Sequence, residues 1–396
     1  MQQDYDLIII GGGLAGNTLA LALQKSGLKI AVVEANTREQ QAASPAGDRA
    51  LALAAGTVQV LMELGLWQGV SDKATAIKQI HVSDRGHFGK TRLSAERQQV
   101  EALGYVISAH AIESHLAEQL QHTDVTLLSP YRLVGLMSGD NEINVSLKQG
   151  DASLNITSKL LVGADGGNSS VRQLLDIGQH SIDYQQTALV TTVQSELPNQ
   201  NVAYERFTTS GPLALLPVGK RQASVVWTRS SEDAEALMLG NEADFLSQLQ
   251  DCFGYRLGAL QLAAPRRAFP LSLIRANAMS AGRAVIIGNA AHQLHPVAGQ
   301  GFNLGLRDVV VLAQMLADAA MQDLDVGSAV ILNAYVAARR KDHDRVIGFT
   351  DSLVKIFSND WLPLAAARNL GLALLDHLPP AKNIFARQAM GLDGRG

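Results

Sequence analysis

The sequence predicts an α/β protein: a Rossmann-type nucleotide-binding unit assembled from separated stretches of chain, an interleaved β-rich unit, and a helical C-terminus. Three observations predict it. The glycine run Gly11-Gly12-Gly13-Leu14-Ala15-Gly16 stands between an apolar strand-like segment and a helix-like one. Two later segments, Gly163-Ala164-Asp165-Gly166 and Gly288-Asn289 continuing to Gly299-Gln300-Gly301-Phe302-Asn303, each follow another short apolar run. Between them, residues 188–227 hold four β-type stretches separated by turn signals.

Tyr5 to Ile10 is short enough for a buried strand, and Leu14 to Lys25 has the leucines and alanines of a helix. Gly11 permits the tight turn between them, and Gly16 lets helix and strand pack closely. Gly13, with Leu14 and Ala15 in the first turn, brings backbone amides to a pyrophosphate at the helix N-terminus. Leu28 to Val33 makes the next strand and ends in Glu34, eighteen residues after Gly16. A carboxylate there accepts hydrogen bonds from a ribose diol and disfavours a ribose 2′-phosphate, so FAD or NAD is expected. The plainer alternative is a glycine-rich turn in an ordinary α/β domain; strand, helix and acid in register argue against it.

With 396 residues, 47% of them hydrophobic, the chain is long enough for two or three domains or two interleaved ones. The formal charge of −4 suggests no nucleic-acid partner. One cysteine, Cys252, permits neither an intrachain disulfide nor, alone, a cysteine metal site, and fits a reducing cytoplasm. Asp4 and Asp6 precede the first strand without a basic leader, so no secretory signal is expected. Leu7 to Leu23 is apolar, but its four glycines favour strand, turn and helix over a membrane span. The expectation is a cytoplasmic protein, soluble or peripheral on the inner face of the membrane.

Further along, Gly56 to Leu66 and Ala111 to Gln121 have helical spacing, and Ile80 to Leu93 reads as strands of another unit. Val125 to Leu128, Ile143 to Leu147 and Leu160 to Val162 read as strands, the last delivering Gly163 to Gly166. Leu189 to Val193, Tyr204 to Phe207, Leu213 to Leu216 and Ala223 to Trp227 form the β-rich stretch, and Ala284 to Ile287 is a further buried strand. This gives a discontinuous nucleotide-binding domain over 1–74, 100–180 and 276–330, a β-rich domain over 75–99 and 181–275, and a helical region over 331–396. In that last region Arg339 to Arg345 is charged with mixed sign, as on a solvated helix face. Phe349, Leu353, Ile356 and Phe357 then form an apolar stripe, followed by Trp361 to Leu364 and Leu370 to Leu378. These pack onto the body or dock on a membrane or partner.

Over nearly the full chain these residues resemble the class A flavoprotein monooxygenases, the para-hydroxybenzoate hydroxylase fold group. Gly163 to Gly166, continued by Ser169-Ser170-Val171-Arg172, is similar to the family's second motif, which implies that Asp165 serves FAD and NAD(P)H. Gly288-Asn289-Ala290-Ala291-His292 through Pro296 to Asn303 is similar to the third, which holds the ribityl chain and flavin ring. That resemblance makes Gly288, Asn289, Gly299, Gln300, Gly301 and Asn303 flavin contacts. Arg49, in Asp48-Arg49-Ala50-Leu51-Ala52-Leu53, matches the family's flavin-contacting arginine; an ion-pair role is the alternative. Within the group, Glu205-Arg206-Phe207, His81 to His87 and the extended Leu294 to Gly305 resemble the ubiquinone-biosynthesis hydroxylases, nearest the 2-polyprenyl-6-methoxyphenol hydroxylase branch.

The resemblance implies an FAD-dependent hydroxylase that uses NADH or NADPH and O₂ on a lipophilic polyprenyl phenol, acting through a flavin C4a-hydroperoxide. A single GxGxxG leaves no separate nicotinamide domain, so the reductant is expected to visit transiently. The third motif usually has aspartate after its first glycine; Asn289 still accepts a ribityl hydrogen bond, more weakly. His292, His295 and Pro296 are catalytic candidates lining the flavin pocket, although a loop histidine is as often a hydrogen-bonded structural residue. No acid or base is assigned, and no metal is expected. Alternatives are hydroxylation of another ring position, a small aromatic acid as substrate, or a flavin-binding structural subunit of a quinone-biosynthesis complex.

Overall fold

The computed structural model describes residues 4–87 and 89–357, with residues 369, 382, 383, 386, 387, 390 and 391 beyond them. β1 (Asp4–Ile10), α1 (Leu14–Leu23) and β2 (Ile30–Val33) form the βαβ unit that the glycine run requires. Leu7, Ile8 and Ile9 are fully buried, as in a parallel strand covered on both faces. β1 pairs in parallel with β2 on one side and with the Ala152–Gly163 strand on the other, which is in turn parallel to Ala284–Ile286. The three strands that precede the three glycine segments therefore end on one edge of the sheet. That is the edge where open α/β sheets bind their ligands.

The same sheet runs on through Thr126–Leu128, and an antiparallel pair, Arg132–Ser138 and Ile143–Gln149, joins the first half of Ala152–Gly163. On one face Leu19 and Leu23 of α1 share a core with Val309, Leu312 and Leu316 of the Gln300–Met321 helix and Tyr335 of the Ala329–Phe357 helix. Those two C-terminal helices are thus part of the nucleotide unit's core.

A second sheet holds the four strands expected between 188 and 227. Its order is His292–Gln293, Arg267–Ala276, Gln179–Ser195, Gln222–Ser230, Gly211–Pro217, Val202–Thr208, Gln79–Asp84 and Lys90–Ser94. Gln79–Asp84 joins by parallel pairing with Val202–Thr208, which brings an early stretch of chain into the β-rich layer. Period-two alternation divides its residues: Leu213, Leu215, Val225 and Trp227 are buried against Phe245, Leu249 and Phe253 of the Glu242–Phe253 helix. The opposite face turns toward the glycine segments, where Phe207 packs with Val297 and Val354. A three-stranded sheet of Ala50–Ala54, Gly104–Ser108 and Thr75–Ile77 is hydrogen-bonded to neither and packs against both, through Leu53 and Ile107 on one side and Ile77 and Val106 on the other.

Among the described residues, no helix is long and apolar enough to cross a membrane. Leu353, from the expected C-terminal stripe, packs in the Phe207 and Val297 cluster. Ala386 and Met390 pack with Leu93 and Leu103, and the Asn369 amide donates to Asp84 and accepts from the Gly89 amide. Trp361 to Leu364 and Leu370 to Leu378 lie outside the described residues.

Candidate flavin site

α1 starts from Gly13 with no side chain capping its first-turn amides and no acid in its first turn. Its orphan N–H groups and the positive end of its dipole therefore await an anion. A Cβ on Gly13 would meet nothing within 4 Å, whereas one on Gly16 would lie 1.9 Å from the Gly11 carbonyl oxygen. Gly11 has φ +108°, and its Cβ would stand 2.5 Å from the Ala164 oxygen. Gly11 and Gly16 thus allow close packing, and Gly13 leaves the approach to the helix open.

That approach is a cleft of about 700 Å³ lined by Gly12, Gly13, Glu34, Arg38, His110 and Glu113. The volume suits a nucleotide-sized ligand. Glu34 accepts the Gly12 amide at 2.9 Å through Oε2 and the Asn36 amide at 2.7 Å through Oε1. Each oxygen keeps a further lone pair for a ribose hydroxyl. Burial pushes the Glu113 carboxyl up, while Arg49 and His110 act to lower it. Arg49 itself carries its guanidinium 5.8 Å from the Phe269 ring centroid, between cleft and β-rich sheet. Sequence reading passed over His110, Glu113 and Arg38. The signal for the first two was the polar stripe His110, Glu113 and Ser114 on the Ala109–Leu120 helix, whose other face is apolar.

In the second segment Asp165 accepts the Ser169 hydroxyl at 2.6 Å and the Val171 amide at 3.2 Å, which caps the Ser170–Leu174 helix. Buried Arg172 donates to the Gly167 and Ala290 carbonyls, both at 2.8 Å, and so ties the second segment to the third.

In the third segment Gly288 has φ +57° and would place a Cβ 3.3 Å from that of Ala15, so it abuts the start of α1. The Asn289 side chain is exposed and has no hydrogen bond among the described residues. Gly299, with φ +60°, begins the Gln300–Met321 helix, again without a capping side chain or a first-turn acid, and Gly301 faces open space. Gln300 is half-buried beside it. Asn303 is consumed internally: its oxygen accepts from the Ala54 amide and the Thr57 hydroxyl, and its nitrogen donates to Ala52 and Gly299. It shapes the loop from within instead of presenting its amide to a ligand.

His295 is fully buried; its Nδ1 accepts the Val297 amide at 3.1 Å and its ring meets Tyr184 edge-on. Burial lowers it to about 4, so it is neutral at pH 7, with the proton on Nε2. Pro296, between His295 and Val297, is half-buried and precedes the turn to Gly299. His292 donates to Asp308 at 2.8 Å, and the same carboxylate accepts from His343 at 2.7 Å and Arg339 at 2.8 Å and reaches the Gly288 amide at 3.4 Å. Burial would raise Asp308, but its histidine neighbours hold the carboxyl well below the usual range. The donor atoms of His292, Asp308 and His343 lie within 4.8 Å of one another. With the Arg339 guanidinium on the same carboxylate, the group reads as a buried ion-pair network that fastens the Gly288 turn to the last helix.

Two uncapped helix N-termini, open glycines at both, and a nucleotide-sized cleft along Glu34 fit an anionic dinucleotide such as FAD. Residues 4–350 match the family described as FAD binding domain. The chain is 36% identical to the ubiquinone hydroxylase UbiL of Rhodospirillum rubrum over 98% of this chain and 89% of that one. It is 32% identical to the 3-demethoxyubiquinol 3-hydroxylase of Escherichia coli over 98% and 99%. In fold it is similar to p-nitrophenol 4-monooxygenase PnpA of Pseudomonas putida, with TM-score 0.82, 18% identity and 100% of both chains covered. It is also similar to pqsL, a probable FAD-dependent monooxygenase of Pseudomonas aeruginosa, with TM-score 0.78, 23% identity, and 93% and 99% covered. The chain belongs to the FAD-dependent monooxygenases, in the family of the ubiquinone-biosynthesis hydroxylases.

Proposed function

We propose that this chain hydroxylates 2-polyprenyl-6-methoxyphenol to the corresponding 1,4-benzoquinol, with NADH or NADPH as a transient reductant. The observation that carries the reading is full-length similarity to hydroxylases of the ubiquinone ring, combined with a glycine framework that fits one dinucleotide. When bound, FAD supplies the activation of O₂; the chain's own residues hold it, orient the phenol and exclude water. The α1 amides and Glu34 would hold the adenosine diphosphate half, and Asn289 the ribityl chain. The Gly299 to Gly301 amides would stabilise charge at the ring. The β-rich sheet presents an apolar inner face to a lipophilic phenol, and lipid-derived substrate implies contact with the membrane or with a partner that delivers it.

A second reading has one observation in its favour: the Escherichia coli relative acts, by its name, at ring position 3. Another ring carbon of the same pathway is therefore the runner-up. Purified protein loaded with FAD and given a farnesylated 2-methoxyphenol tests the reading. NAD(P)H oxidation should be stimulated by the phenol and yield the para-quinol. Product hydroxylated at another carbon selects the runner-up; no product from any quinone precursor rejects both.

A further inference from the structure

The inner face of the β-rich sheet carries one ionisable group in an otherwise apolar row. Pairing registers align Val82, Glu205, Ala214, Val226 and Val190 across five neighbouring strands. These side chains share the face of Phe207, because Tyr204 and Leu215 point to the opposite, helix-covered side. Val82, Glu205, Ala214 and Val226 are half-buried, while Leu213, Leu215, Val225 and Trp227 on the covered face are fully buried. The row thus keeps side-chain surface open on its inner side, as the floor of a recess would. Phe207, two residues from Glu205, and Val82, its cross-strand neighbour, pack with Val297. Val297 stands between Pro296 and Gly299 of the flavin loop, so the recess opens toward the ring end of the FAD site.

We propose that Glu205 is the catalytic base that takes the phenolic proton of the substrate. The inference rests on the aromatic-hydroxylase reading above. A carboxylate placed among Val82, Ala214 and Val226 has no hydrogen-bond or ion-pair partner among the described residues. Charged Arg206 and the Tyr204 hydroxyl, its sequence neighbours, point to the other face. Of the other titratable groups on its side, Tyr184 donates to Asp351 from the last helix, Arg267 at the far end of the row pairs with Asp48, and Asp84 accepts from Asn369; His295 accepts from Val297 through Nδ1 and keeps an Nε2 without a partner among the described residues. An unpaired carboxyl in an apolar recess is costly unless a ligand supplies the donor, and a phenol O–H is the donor that such a recess would receive.

In the step, the phenol O–H bond breaks, its electron pair stays on oxygen and the proton bonds to a Glu205 carboxylate oxygen. The ring carbon para to that oxygen becomes electron-rich and takes the oxygen atom that the monooxygenase reaction supplies, with NAD(P)H as the source of electrons. That carbon then sheds its own hydrogen as a proton on regaining aromaticity, and Glu205 returns its proton to the phenol oxygen. The side chain ends the turnover as it began. Burial alone pushes the Glu205 carboxyl up to about 7, so its basic form is gained as pH rises through neutrality.

The test compares wild type, Glu205→Gln and Glu205→Asp as FAD-loaded full-length proteins with farnesylated 2-methoxyphenol. It reads flavin content and the pH profile of kcat/KM. The expectation is unchanged flavin content, and a kcat/KM lowered about 10²- to 10⁴-fold in Glu205→Gln with loss of the acidic limb near neutrality. Glu205→Asp should keep that limb and recover part of the rate. A Gln variant within about threefold of wild type, or one that retains the limb, overturns the proposal. Loss of FAD by both variants assigns Glu205 to packing and also overturns it. Wild type that binds FAD and hydroxylates no quinone-precursor phenol contradicts the functional reading and removes the proposal with it.

Discussion

Gly16 shows how much of the flavin site depends on one missing side chain. A methyl group there would stand 1.9 Å from a backbone oxygen that cannot move without opening the α1 and β1 contact. Gly16→Ala is therefore expected to fold with displaced α1 and to purify with little flavin, read as the ratio of flavin to protein absorbance; a variant as yellow as wild type contradicts it. Asn289 works in the other direction. Its exposed amide is free to accept a ribityl hydrogen bond, and a carboxylate accepts about twice as strongly as a neutral oxygen. Asn289→Asp should bind FAD more tightly in titrations of apoprotein, and equal retention would sink that argument. His295 is neutral and already bonded to Val297, so its replacement by Asn should change single-turnover hydroxylation by less than about threefold while lowering stability.

Among the elements, the Gln300–Met321 helix has the most at stake, because one residue joins it to both the Gly288 turn and the last helix. Asp308 is fully buried and bonds His292, Arg339 and His343. Asp308→Asn removes the buried carboxylate shared by His292, His343 and Arg339, leaves Arg339 with Asp342 alone, and should cost roughly 3 kcal/mol in chemical denaturation. Because the folded carboxyl lies below the ordinary value of 3.8, its contribution is present above that value and lost as pH falls through the lower folded one. The Asn variant should accordingly lose less stability between neutral and acidic pH than wild type does, and parallel acid-unfolding curves would refute this.

The three glycine segments and their strands were legible in sequence because parallel central strands are continuous apolar runs with glycine punctuation. The Arg132–Ser138 strand was not: Val134 and Met137 are exposed, so its pattern carries no burial signal. The Ser231–Leu239 and Glu242–Phe253 helices were passed over although Ser230 and Asn241 cap them, because they lie inside the span 181–275, which reads as β-rich from its strands up to Trp227. The long-range partners of Asn303 and Asp308 lie 246 to 251 and 31 to 35 residues away along the chain, beyond any local pattern. Motif matching found these residues or their neighbours, but only the fold shows that Asn303 is spent inside the loop.

At the scale of the whole molecule, the parallel sheet gathers the three glycine segments along one edge, and the β-rich sheet turns an apolar face with Glu205 toward them. The described C-terminal residues return to the body through Asn369, Ala386 and Met390, which contact residues 84–103. We propose that this arrangement hydroxylates a polyprenyl phenol in ubiquinone synthesis. The measurement that tests it most directly is the profile of quinone precursors in a strain lacking this protein, with and without its gene restored. Such a strain is expected to accumulate 2-polyprenyl-6-methoxyphenol and lose ubiquinone, with recovery by the wild-type chain but not by Glu205→Gln. An unchanged ubiquinone profile in the deletion strain would contradict it.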